Sequence, residues 1–246
     1  MSLLKELTDL AKKISESKYP DASVVFLAGS IVRGEGTPYS DLDLVVIFDK
    51  LAAAYRESFY FHSYPVEAFV HDPETLDYFF YEVDRPLGIP SLGQMVVEGI
   101  EVTKPNDLSQ SLKQLAASVI ALGPPKLSEV DIGKLRYNIT NLVDDRQPLS
   151  KAEVVASGAG LYKALGGYYL RTNNLWSANG KSIPRMLEQA DASLCLRFCT
   201  AFEDLFANGR PEMVISLAEA LLRANGGFLF DGYRLNAPPE WRRPLT

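Results

Sequence analysis

Leu3, Leu4, Leu7, Leu10, Ala11 and Ile14 recur at helical spacing, with Lys5, Glu6, Lys12 and Lys13 between them. That pattern predicts an amphipathic helix ending before Tyr19-Pro20. Ser23 to Ala28 and Leu42 to Phe48 are apolar runs of strand length, separated by a polar, glycine-rich stretch. Both are apolar at consecutive positions rather than alternate ones, so a sheet covered on both faces is expected. Leu51 to about Tyr60 reads as a helix and Pro65 to Val70 as a third strand. Asp72-Pro73 opens a further helix, with Asp72 as its cap. Ser91 to Glu98 reads as helix and Ile100 to Thr103 as a short strand.

After Lys104-Pro105-Asn106 the pattern changes. Leu108 to Leu122, Val130 to Val143, Lys151 to Leu170 and Glu212 to Arg223 carry apolar stripes at helical period with few strand signals. The expected organisation is an α/β (α+β) domain with a mixed sheet over residues 1–105, then an all-α helical bundle over 106–246. Pro124-Pro125 and Pro148 punctuate helices inside the second part. No internal repeat stands out.

Composition narrows the function classes. The chain has 246 residues, 25 Lys+Arg against 31 Asp+Glu, a net charge of −6 and 47% hydrophobic residues. These values suit a globular protein and disfavour a nucleic-acid partner, which calls for a basic face. No apolar run reaches the roughly 18 residues of a membrane helix, and Met1 to Leu7 lacks an apolar signal core, so a cytoplasmic protein is the default. Two cysteines do not make a disulfide framework. Cys195 and Cys199, four apart on a helix, read as core, as do Tyr162, Tyr168, Tyr169 and Trp176. His62 and His71 have no partner at ligand spacing.

The candidate chemistry lies between Ala28 and Leu44. Gly29 lets backbone approach a ligand closely, and Ser30 offers a hydroxyl beside free N–H groups at a helix start, which suits phosphate oxygens. Arg33 lies one turn on and either adds a charge-assisted contact to the same phosphates or is a solvated loop charge. Ser40 either joins that group or turns the chain before Asp41. Asp41 and Asp43 stand two apart at the mouth of a strand, so both carboxylates face one side. Their repulsion is relieved by a divalent cation such as Mg²⁺. Glu67 is a lone charge in an apolar strand. If that strand pairs beside Asp41–Phe48, three carboxylates meet and suit two metals roughly 3.5–4 Å apart; otherwise Glu67 faces water.

The order Gly-Ser, a spacer, Asp-Leu-Asp-Leu, then a distant strand Glu resembles the DNA polymerase β-like nucleotidyltransferase superfamily. Gly-Ser-x-x-x-Arg-Gly followed by Ser-Asp-Leu-Asp-Leu is similar to its small, antibiotic-modifying members. The resemblance spans Val24 to Val70. It extends more loosely over Tyr78 to Thr103, carried by Met95 to Ile100, and to Asn173–Arg185 in the helical part. It implies that Gly29 and Ser30 hold the β- and γ-phosphates of a nucleoside triphosphate, expected to be ATP. Asp41 and Asp43 would bind two Mg²⁺ ions, and Glu67 would bind one of them or act as base. Lys181, with Lys163 and Arg185, either reaches the triphosphate or is a solvated charge. The implied reaction moves a nucleoside monophosphate to a hydroxyl of a small molecule of aminoglycoside or lincosamide type, in a cleft between the domains. Nucleotidylation of protein or tRNA, and a non-catalytic nucleotide-binding module, are the alternatives. A homodimer stays open.

Overall fold

The computed structural model describes residues 3–37, 39–144 and 150–243; Pro148 lies outside them. The chain divides into two compact units, Met1–Pro125 and Lys126–Thr246.

The first unit is built on five strands: β1 (Val24–Ala28), β2 (Leu42–Ile47), β3 (Tyr55–Phe61), β4 (Tyr64–His71) and β5 (Ile100–Glu101). Their order across the sheet is β3-β4-β2-β1-β5. β2 pairs parallel with β4, while β1–β2, β1–β5 and β3–β4 are antiparallel. The sheet is therefore mixed. The consecutive apolar run Val24–Ala28 is buried at every position because both faces are covered. Val25 and Leu27 join Leu44 and Val46 under helix α1 (Leu3–Lys18), which buries Leu7, Ala11 and Ile14. Val24 and Phe26 join Val45 and Ile47 under the helices of the other face.

α2 (Gly29–Val32) is a single turn after β1 whose Ile31 joins the cluster under α1, while the second layer starts with α3 (Pro73–Tyr78) after β4, which buries Leu76. Asp72 caps α3 reciprocally with Thr75, as the Asp-Pro pair predicts. A π-helical turn, Phe79–Asp84, and the short α4 (Arg85–Leu87) lead to α5 (Ser91–Glu98). The first turn of α5 is capped from outside: the buried Asp84 carboxylate accepts the Leu92 and Gly93 N–H groups at 2.9 and 3.1 Å. The expected strand over Ile100–Thr103 forms only at Ile100–Glu101, but Val102 N–H still donates to the Val25 carbonyl.

Two expectations need correction. The expected helix over residues 51–60 is instead a loop and the edge strand β3. Glu57, Phe59 and Phe61 are half-buried and alternate with exposed Arg56, Ser58 and Tyr60, which is the strand period. The Ala-rich start is drawn off because Leu51 N–H donates to the Asp72 carboxylate. β3 is pinned to the end of α1: Tyr19 OH donates to Glu57 at 2.7 Å, and Lys18 pairs with Glu57 and lies over Phe59. The boundary also differs. α6 (Asp107–Leu122) buries Leu112, Ala116 and Val119 among Phe26, Phe80 and Val96, so it belongs to the first unit. Burial of Leu112 and Val119 is worth about 1.5–3 kcal/mol each. The unit ends at Pro125, beside the proline pair, rather than at Pro105.

The second unit is helical: α7 (Glu129–Asp144), α8 (Lys151–Thr172), α9 (Ser182–Ala190), α10 (Ala192–Asn208) and α11 (Glu212–Leu222). Its core gathers Leu161, Leu165, Tyr168, Leu187, Phe198, Phe202 and Leu217, with Cys195 buried and Cys199 half-buried beside them. Asp191 ends α9 and caps α10 by accepting Leu194 N–H at 2.9 Å. Among the described residues no helix is long and apolar enough to cross a membrane.

Candidate active site

The strand register assembles the site. Asp43, second residue of β2, lies directly opposite Ala28 at the end of β1 and opposite Glu67 in β4. Asp41 stands two residues earlier, so its side chain shares the Asp43 face. The three carboxylates each bring an oxygen to within 4.8 Å of the others. All three residues are half-buried. Among the described residues this is the one cluster of three or more acidic, histidine or cysteine side chains able to hold a metal ion. The chemistry of the donor set fits a hard divalent cation, which prefers oxygen ligands.

Gly29 explains how Asp43 fits. Its φ is +76°, and a Cβ there would stand 1.9 Å from Asp43 Oδ2. The carboxylate therefore occupies the space that any other residue's side chain would take. Ser30 is buried and donates to Ser40 Oγ at 3.4 Å; Ser40 Oγ in turn accepts Thr37 N–H at 2.9 Å. Ser40 thus ties the turn before Asp41 to the Gly29-Ser30 corner.

The charges are strongly coupled. Burial, then the neighbouring Asp41 and Glu67, push the Asp43 carboxyl up to about 6, while Arg33 and Arg56 pull the other way. Arg33, a candidate phosphate contact, is held by Glu35 at 3.0 Å and Glu98 at 3.2 Å. Lys181 is an exposed residue of the second unit, just before α9. The side chain missed from the sequence is Arg56, whose guanidinium pairs with Glu67 Oε2. Its signal was the Tyr55–Phe61 alternation, obscured by the preceding alanines.

Residues 8–86 match the family model described as Nucleotidyltransferase domain. Residues 8–86 are a nucleotidyltransferase domain of the polymerase β-like type. That domain contains the Gly29-Ser30 corner, all three carboxylates and Arg56, and it ends before α5. Among solved structures, the chain is similar to a nucleotidyltransferase-like protein from Exiguobacterium sibiricum 255-15. The identity is 13% over 89% of this chain and 75% of that one, with a TM-score of 0.45. No curated protein matches the chain.

Proposed function

We propose that this chain transfers a nucleoside monophosphate from a nucleoside triphosphate, ATP first, to a hydroxyl of a small-molecule acceptor. The observation that carries the reading is the meeting of Asp41, Asp43 and Glu67 beside Gly29, inside the nucleotidyltransferase domain. In the reaction the acceptor oxygen bonds to the α-phosphorus, the bond to the β-phosphate oxygen breaks, and pyrophosphate leaves with the acceptor's proton passed to a base or water. Such transfers rest on positioning and charge neutralisation more than on covalent catalysis.

In this reading Asp41, Asp43 and Glu67 hold two Mg²⁺ ions. Bound there, the ions supply charge neutralisation and Lewis acidity at the phosphates. Asp43 sits centrally, fixed by the strands on both sides, and Glu67 keeps Oε1 for a ligand or a proton because Arg56 takes Oε2. The Gly29-Ser30 corner receives the β- and γ-phosphates, with the Ser30–Ser40 hydroxyl pair as donors. A net charge of −6 favours a cationic acceptor, which suits a compound of aminoglycoside type over tRNA. A cytoplasmic setting supplies both triphosphate and Mg²⁺.

The test is a transfer screen with α-³²P-labelled nucleoside triphosphates against aminoglycosides, lincosamides, tRNA and total cell protein. Label on a small hydroxyl compound, lost in Asp43→Asn, is the expected result. Label on tRNA or protein instead would move the acceptor class, and no transfer to any acceptor would refute the reading.

A further inference from the structure

Arg56 is the one cation bound directly to the carboxylate cluster among the described residues, and nothing in the proposed reaction requires it. It sits opposite Phe69 in the β3–β4 register, so it is a diagonal neighbour of Glu67 on the same face. Its guanidinium pairs with Glu67 Oε2, and its central carbon lies 4.8 Å from the Phe69 ring centroid. Both contacts are weak in energy. The Arg56 side chain is 57% exposed, where water screens both the ion pair and the cation–π contact. Arg33 also acts on Asp43 through space, but its guanidinium is taken by Glu35 and Glu98 and pairs with none of the three carboxylates.

We propose that Arg56 is a resident counter-charge for the carboxylate cluster, and that it makes cation loading depend on the arrival of nucleotide. This rests on the proposed function above. Three carboxylates with oxygens within 4.8 Å of one another repel when bare. Arg56 offsets part of that repulsion from the sheet edge and takes one Glu67 oxygen out of use. A divalent ion arriving alone therefore meets a site already part-neutralised and beside a like charge. A triphosphate brings its own negative charge and removes that disadvantage. The arginine is a positioning residue here, since it acts through Glu67.

The experiment is a Mn²⁺ titration of the full chain without nucleotide, read by loss of the free-ion electron paramagnetic resonance signal. A unit charge next to a divalent ion, at near-aqueous dielectric, shifts the Kd about tenfold. Arg56→Gln should therefore bind Mn²⁺ about tenfold more tightly than wild type, while Arg56→Lys, which keeps the charge, stays within about threefold of wild type on the same electrostatic argument. A merely structural arginine would not produce a gain, and thermal unfolding checks that both variants are folded. Arg56→Gln binding Mn²⁺ no more tightly than wild type, or not at all, overturns the inference. A parallel titration with a non-hydrolysable ATP analogue separates the two readings. Nucleotide-dependent Mn²⁺ uptake by wild type, without a gain in Arg56→Gln, sinks only the role of Arg56. No uptake by wild type with the analogue sinks the function itself, and the inference with it.

Discussion

Replacing Gly29 by alanine should separate two effects that coincide at the corner. The first is backbone: at φ +76° a side chain costs roughly 1–2 kcal/mol. The second is steric. The added methyl would lie 1.9 Å from Asp43 Oδ2, 2.7 Å from its Cγ and 3.0 Å from its Cβ. Asp43 cannot yield cheaply, because its backbone is paired on both sides to β1 and β4. Its carboxylate must therefore rotate away from Asp41 and Glu67. Gly34 supplies the control, with φ +73° and nothing within 4 Å of an added Cβ. Gly34→Ala should lose only the backbone contribution, about 1–2 kcal/mol by urea unfolding. Gly29→Ala should lose more, and should also lose Mg²⁺-dependent binding of a fluorescent ATP analogue, which Gly34→Ala keeps. Equal stability and equal nucleotide binding in the two variants would refute the claim that Gly29 exists to admit Asp43.

Three further expectations follow from named groups. Burial pulls the His71 imidazole down to about 4 and pushes the Asp43 carboxyl up to about 6. Folded His71 stays neutral while the unfolded chain takes its proton below 6.5, so this group removes about 3 kcal/mol of stability as pH falls from 6.5 to 4. Folded Asp43 takes its proton near 6, well before the unfolded chain does, so it returns a similar amount over pH 6 to 4. With EDTA present the two nearly cancel in wild type, whereas Asp43→Asn should show the His71 loss uncovered; parallel pH profiles would contradict this. His62 and Ser63 form the β3–β4 turn with φ of +46° and +70°. Asn-Gly at these positions should stabilise the chain by about 1 kcal/mol in urea unfolding. In the second unit, an alanine Cβ at Gly166 would meet Ile183 Cγ2 at 2.6 Å, while at Gly167 the nearest atom is Ser177 Oγ at 3.6 Å. Gly166→Ala should destabilise by about 1–3 kcal/mol and Gly167→Ala should stabilise slightly, by up to about 1 kcal/mol; the same sign for both would count against this packing.

The residues that form the candidate site were legible because their chemistry is local. Gly29-Ser30 ends an apolar run, and Asp41 and Asp43 open the next one, so strand period alone placed both carboxylates together. Glu67 depended on pairing, and only the register opposite Asp43 brings it in. β3 was hidden for two reasons. Three alanines suggested helix, and the hairpin turn is His62-Ser63 rather than a glycine or asparagine pair. Losing β3 also lost Arg56. The boundary shifted because α6 has the same stripe as a bundle helix, and nothing in a stripe says which apolar surface it will cover. For Arg33 the sequence left a phosphate contact and a solvated charge open, and its pairing with Glu98, 65 residues away, was not legible because tertiary packing sets it.

In the proposed function, Asp41, Asp43 and Glu67 together create a divalent-cation site that receives a nucleoside triphosphate. Calorimetric titration with α,β-methylene ATP, on wild type and Asp43→Asn, each in Mg²⁺ and in EDTA, tests it most directly. Wild type should bind in Mg²⁺, with no binding in the other three conditions. Undiminished binding in EDTA, or by Asp43→Asn in Mg²⁺, would contradict it.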